Sequence, residues 1–120
     1  MNNKPQYKLI KNFLYAIDGL MHTIRSETSF RLELYVALIV FPAIYFMPFA
    51  FVFQLILFMT YFMIMIAELL NSAVENVVDL VTHDVHPLAK SAKDIGATAV
   101  LFTVILHGLC WVFILFHTFS

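Results

Sequence analysis

Residues 34–67, "LYVALIVFPAIYFMPFAFVFQLILFMTYFMIMIA", contain no charged side chain. Read as one helix, the run would rise roughly 50 Å at ~1.5 Å per residue. The hydrocarbon core of a bilayer is only about 30 Å thick, so the run must be two spans. The break falls in "MPFAF", where Pro48 removes a helical hydrogen bond and clashes with the preceding turn. Pro42, deeper in the first span, is expected to kink it. A third apolar run, "IGATAVLFTVILHGLCWVFILFHTF", extends from Ile95 to Phe119. The spacing predicts an all-α membrane protein with transmembrane helices over about 29–48, 50–81 and 91–118.

The composition agrees with this division. Of 120 residues, 62% are hydrophobic and 12% charged, against about 45–50% and 25% in soluble domains. The single Cys110 excludes an intrachain disulfide, and beside Trp111 it reads as a packing residue. No cleavable signal is expected, because the first residues mix charged and apolar side chains without an uninterrupted apolar core. A net charge of −1 gives no reason to expect nucleic acid as a partner.

Before the first span, Leu9, Phe13, Ile17, Leu20, Met21 and Ile24 recur at helical spacing. Residues 5–27 therefore read as an amphipathic helix on the membrane surface, or alternatively as a cap packed on the other helices. All seven basic residues, Lys4, Lys8, Lys11, Arg25, Arg31, Lys90 and Lys93, precede the first span or lie between the second and third. The positive-inside rule then puts the N-terminus and the loop near 80–92 in the cytoplasm and the C-terminus outside, as for a multi-pass protein of a bacterial inner membrane. One single-domain chain with no internal repeats is expected.

The second span ends in "MIAELLNSAVENVVDLV", residues 65–81. At ~100° per residue, Asn71, Ser72, Glu75 and Asp79 fall within about 60° of Glu68 around the helix. Such groups could merely end a helix at a wet interface, and that reading suits Asp79 and Asn76. Glu68 would sit just inside the hydrocarbon boundary, where a carboxylate is costly unless it faces a protein interior or cavity.

Other polar groups belong to the same level. Glu27 and Glu33 flank Arg31 in "SETSFRLELY", and "KSAKDIG" brings Lys93 and Asp94 to the start of the third span. Arg31 could simply pair with Glu27 at helical spacing, and Lys93 could be an interfacial anchor. Together these groups suit phosphoryl transfer, which needs a cation on nucleotide phosphates, carboxylates for Mg²⁺ and a base for the attacking hydroxyl. No glycine-rich phosphate loop of either common type occurs. "THDVH", with His83, Asp84 and His86, lacks the further ligand pair that a zinc site needs.

The long stretch "AELLNSAVENVVDLVTHDVHPLAKSAKDIGATAVL" resembles the signature of the prokaryotic diacylglycerol kinase family, and the likeness extends from the amphipathic start through "FRLE" to the third span. The resemblance implies a homotrimer with active sites between neighbouring subunits at the cytoplasmic membrane boundary. It implies transfer of the γ-phosphate of ATP to diacylglycerol, with Mg²⁺ as cofactor, giving phosphatidic acid. Position by position, Glu68 matches the catalytic base, Asn71 the active-site amide, and Glu27 and Glu75 the metal-binding acids. Lys93 and Asp94 match the nucleotide-contacting pair. Tyr15, Asp84 and His86 fall where nucleotide is contacted, although Asp84 is one methylene shorter than the usual Glu. Lys8, Arg31 and Glu33 fall where lipid-site residues are expected.

One branch of that family phosphorylates undecaprenol. "HPLAK" is more like that branch, whereas "ETSFRLE" and "AKDIGATAV" are closer to the diacylglycerol branch. The expected mechanism is direct in-line transfer, with Glu68 accepting the proton. Two readings from other classes stand beside it. A proton-coupled transporter would want its acid nearer the midplane, and a structural subunit would leave the polar face without a purpose.

Overall fold

A computed structural model describes residues 8–120. Residues 5–7 of the expected surface helix, and Lys4, lie outside the described residues. Four helices form among the described residues: α1 (Leu9–Ser26), α2 (Thr28–Phe46), α3 (Phe51–Val81) and α4 (Pro87–Phe119). The last three are each long and apolar enough to cross a membrane.

Helices α1 and α2 are separated by Glu27 alone, whose extended backbone (φ −111°, ψ 109°) stops one helix and starts the next. The last carbonyls of a helix have no intrahelical donor. Here Arg31 supplies one from the next helix: its Nη1 donates to the carbonyls of Ile24 (2.9 Å) and Arg25 (2.7 Å), and its Nη2 to Thr28 Oγ1 (3.1 Å). Arg31 thus closes the corner rather than pairing with Glu27. A cation at a helix C-terminus is also favoured by the helix dipole.

Helix α2 ends at Phe46, two residues before Pro48, because the residue preceding a proline is driven out of the helical region. Met47 is extended accordingly (φ −72°, ψ 146°). Carbonyls released at this turn would be costly near hydrocarbon. Gln54, a polar side chain inside the apolar run, donates to the carbonyls of Ile44 (3.1 Å) and Tyr45 (3.2 Å). Helix α4 begins at Pro87 rather than near 91. Proline is well suited to the first helical position, and His86 Nδ1 accepts the free N–H of Leu88 (3.1 Å).

The main packing surface joins α3 to α4, with α2 laid on α3 and α1 on α2. Two small apolar clusters hold the spans. Ile44, Phe49, Leu57 and Ile114 gather near the α2–α3 turn, and Ala37, Tyr61 and Ile64 gather further along α3. Phe41 packs edge-on against Phe58 and Tyr61 at ring separations of 5.1 and 5.3 Å. Most other large apolar side chains of the spans are exposed, including Leu38 and Ile39 at 73% each. That pattern fits a chain whose surroundings are lipid or other apolar helices.

Candidate active site

Helix α3 rises ~1.5 Å per residue, so Glu68 and Glu75 stand roughly 10 Å apart along it and on nearly the same face. Their surroundings divide the polar groups into two levels. At the deeper level the carboxyl groups of Glu33, on α2, and Glu68, on α3, face one another. Both residues are half-buried, and Glu33 Oε2 is buried with no hydrogen-bond partner.

One turn outward, Asn71 Nδ2 donates to Glu75 Oε1 (3.0 Å), which fixes that carboxylate and leaves its second oxygen free. Asn71 Oδ1 is buried and unpartnered. It lies against Gly96 on α4, where a Cβ would overlap the amide oxygen and would come within 3.3 Å of Asn71 Cγ. A side chain at position 96 would have to displace that amide, so the position of the Asn71 amide depends on Gly96.

At the outer end, the α3–α4 hairpin forms a cleft of about 350 Å³ lined by Asp79, Thr82, Asp84, His86, Lys90, Lys93 and Asp94, among others. One ion pair crosses it, Lys93 Nζ to Asp79 Oδ1, and a second, Lys90 Nζ to Asp94 Oδ2, joins successive turns of α4, each at 2.6 Å. All four side chains are 43–75% exposed, so each pair can open at little cost.

The structure thus brings Asp84, His86, Lys93 and Asp94 into one cleft, and places Asn71 with Glu75 and Glu33 with Glu68. Glu27 lies at the α1–α2 corner beside Arg31, and Lys8 and Tyr15 are exposed at and near the start of α1, outside these groupings. Among the described residues no three His, Cys, Asp or Glu side chains come together as a ready metal site. Asp79, which reads from the sequence as a helix end, is instead the partner of Lys93. Its helical spacing from Glu75 was the available signal. Lys90 and Asp94, four residues apart on one helix, offered the spacing of an ion pair, whereas Gly96 gave no signal because its partner is on another helix.

Comparison with known proteins gives one result. The model of the family described as prokaryotic diacylglycerol kinase matches residues 14–115. A diacylglycerol kinase of Haemophilus influenzae is 35% identical over 108 residues, covering 90% of this chain and 92% of the relative. A diacylglycerol kinase of Escherichia coli is 31% identical over 113 residues, covering 94% and 93%. An undecaprenol kinase of Bacillus subtilis is 36% identical over 99 residues, covering 82% and 80%.

Proposed function

Since the chain belongs to the prokaryotic diacylglycerol kinase family, we propose that it transfers the γ-phosphate of ATP to the hydroxyl of diacylglycerol at the cytoplasmic face of a bacterial inner membrane. The observation that carries this reading is the two-level arrangement along α3. Facing carboxyls stand at the level a membrane lipid reaches, and a cation-bearing cleft stands at the level reached from water. Orientation follows from the basic residues, which among the described residues belong to the side that bears this cleft.

In this mechanism the lipid approaches sideways, and its hydroxyl is held between Glu33 and Glu68. Glu68 accepts the proton as the oxygen attacks phosphorus. The unpartnered Oε2 of Glu33 takes part in holding the hydroxyl in place. Lys93 leaves Asp79 to offset charge on the phosphates, and Asp94, released by Lys90, meets the nucleotide with Asp84 and His86. Tyr15 and Lys8 serve the nucleotide and lipid sides from α1.

The donor set fits Mg²⁺. This hard cation takes oxygen ligands and is commonly held by one or two carboxylates together with substrate phosphates, not by a full protein cage. Glu75, with one oxygen fixed by Asn71 and the other free, and Glu27 would hold it. When bound, it neutralises charge on the transferring phosphoryl group. Assembly as a homotrimer, with sites shared between neighbours, completes the proposal.

The undecaprenol kinase relative supports a second acceptor, since its identity to this chain is as high as that of the diacylglycerol kinases. Purified protein with labelled ATP, offered each lipid separately, decides between them. Diacylglycerol is expected to be phosphorylated faster. A preference for undecaprenol reverses the assignment, and no transfer to either lipid refutes the kinase reading.

A further inference from the structure

Below the carboxylates, inside the membrane-spanning part, lies a layer of polar side chains that the transfer mechanism does not use. His107 on α4 is 8% exposed, and both its ring nitrogens are engaged. Nδ1 lies 2.7 Å from Thr60 Oγ1 on α3, and Nε2 lies 3.0 Å from Trp111 Nε1. An indole N–H can only donate. Nε2 must therefore accept, which leaves the ring hydrogen on Nδ1, donated to Thr60. The Thr60 hydroxyl passes its own hydrogen to the Ile56 carbonyl (2.9 Å). The chain runs one way, from Trp111 through His107 and Thr60 to the α3 backbone, and it holds the imidazole neutral in one tautomer and one orientation.

That fixed ring meets Tyr61 edge-on, with centroids 5.4 Å apart. Tyr61 is 3% exposed, and its hydroxyl crosses to α2, where it donates to the backbone carbonyl of Glu33. A helix-interior carbonyl already accepts one bond along its own helix. The extra donor is thus a link between elements, made at the residue whose carboxyl faces Glu68. Glu33, Tyr61, His107 and Trp111 also line one cleft of about 300 Å³. The polar layer and the Glu33 side chain therefore share an open face.

We propose that Tyr61, backed by His107, is a positioning residue that sets the height at which α2 presents the Glu33 carboxyl to Glu68. The inference rests on the lipid-kinase reading for its catalytic consequence, and on the geometry alone for its structural one. Helix α2 is tied to α3 at its other end by Gln54 and the short turn, so loss of the tyrosine hydroxyl frees the Glu33 end of α2 to shift against α3. A slip of about 1 Å at a reacting group costs as much as 10²-fold in rate, so a partial slip gives an intermediate loss.

The experiment uses the full chain in lipid bilayers. Tyr61→Phe keeps the ring and removes the donor. With labelled ATP and diacylglycerol it is expected to lower kcat roughly tenfold with a smaller change in KM for ATP, because most of the nucleotide cleft is on the α3–α4 hairpin. Solid-state NMR of protein labelled with ¹³C at glutamate carboxyls, assigned with Glu33→Gln, is expected to show a Glu33–Glu68 cross-peak that weakens in Tyr61→Phe. Nitrogen-15 spectra of histidine-labelled wild type are expected to show His107 protonated at Nδ1 and bare at Nε2.

An unchanged cross-peak in Tyr61→Phe overturns the proposal, whatever happens to kcat, and so does the opposite tautomer. An unchanged kcat or a rise in KM for ATP equal to the fall in kcat does the same. If Tyr61→Phe does not fold, His107→Gln replaces it. That variant keeps the tyrosine hydroxyl and removes its backing ring, and the same cross-peak comparison applies. Wild type inactive on both lipids refutes the kinase reading alone, since the cross-peak reports position without catalysis.

Discussion

Glu68 carries the chemistry in this proposal because its place on α3 is otherwise hard to account for. A carboxylate at the edge of hydrocarbon faces a protein interior or cavity, and here it faces the carboxyl of Glu33. Glu68→Gln keeps the size and hydrogen-bonding reach of the side chain but cannot accept a proton. General-base removal of this kind costs about 10²–10⁴-fold in kcat, with helical circular dichroism and ATP affinity retained. Near-normal turnover in folded Glu68→Gln would assign the base elsewhere. The place of Glu68 on the polar face of α3 was legible in the sequence because it depends on a local pattern, namely spacing along one helix. Arg31 was not. Its sequence neighbours offered Glu27 as a partner, whereas the competing attraction, the orphaned carbonyls of α1, exists only once the chain has turned back at Glu27. Arg31→Met removes those charge-assisted bonds, and about 1–3 kcal/mol is expected to be lost. The loss would show as a lower thermal midpoint and faster amide exchange at the end of α1; an unchanged midpoint would mean that water satisfies the corner equally well.

At the level of elements, the spans were readable because a bilayer imposes lengths and forbids a single 34-residue crossing, and because Pro48 marks the only cheap break. What supports the break was not readable. Gln54 stands within the apolar run, and its partners at Ile44 and Tyr45 are ten and nine positions back, across the turn. The same limit hid the seat of the Asn71 amide on α4, which lies against Gly96. Gly96→Ala forces the Asn71 amide aside or the helices apart, and overpacking of this kind costs about 1–3 kcal/mol. If the amide yields, Glu75 loses its anchor, so the Mg²⁺ concentration needed for half-maximal activity is expected to rise along with a fall in kcat. A variant that loses thermal stability but keeps its Mg²⁺ dependence would show that the glycine serves packing alone.

For the whole molecule, the chain is too small to enclose its own polar end. Among the described residues, only Phe30, Ile44 and Leu57 are large side chains with almost no exposure, while apolar faces of α2 and α4 stay open. Glu27 stands at the α1–α2 corner, away from the Asn71–Glu75 pair, and no three-ligand group forms within the described part of one chain. These facts fit a site completed by a neighbouring copy, in keeping with the closed symmetry of most homo-oligomers. Mass measurement in detergent is then expected to give three times the 13.8 kDa subunit. Activity gives the sharper test. Glu68→Gln and Glu27→Gln chains are each expected to be inactive alone. Co-expressed in equal amounts, they assemble at random, and one interface in four joins an intact Glu68 to an intact Glu27 from the next subunit. Recovery to about one quarter of wild-type activity is therefore expected of a closed ring with shared sites. If each site were built within one chain, every site in the mixture would carry one of the two substitutions, and activity would stay at the level of the inactive parents.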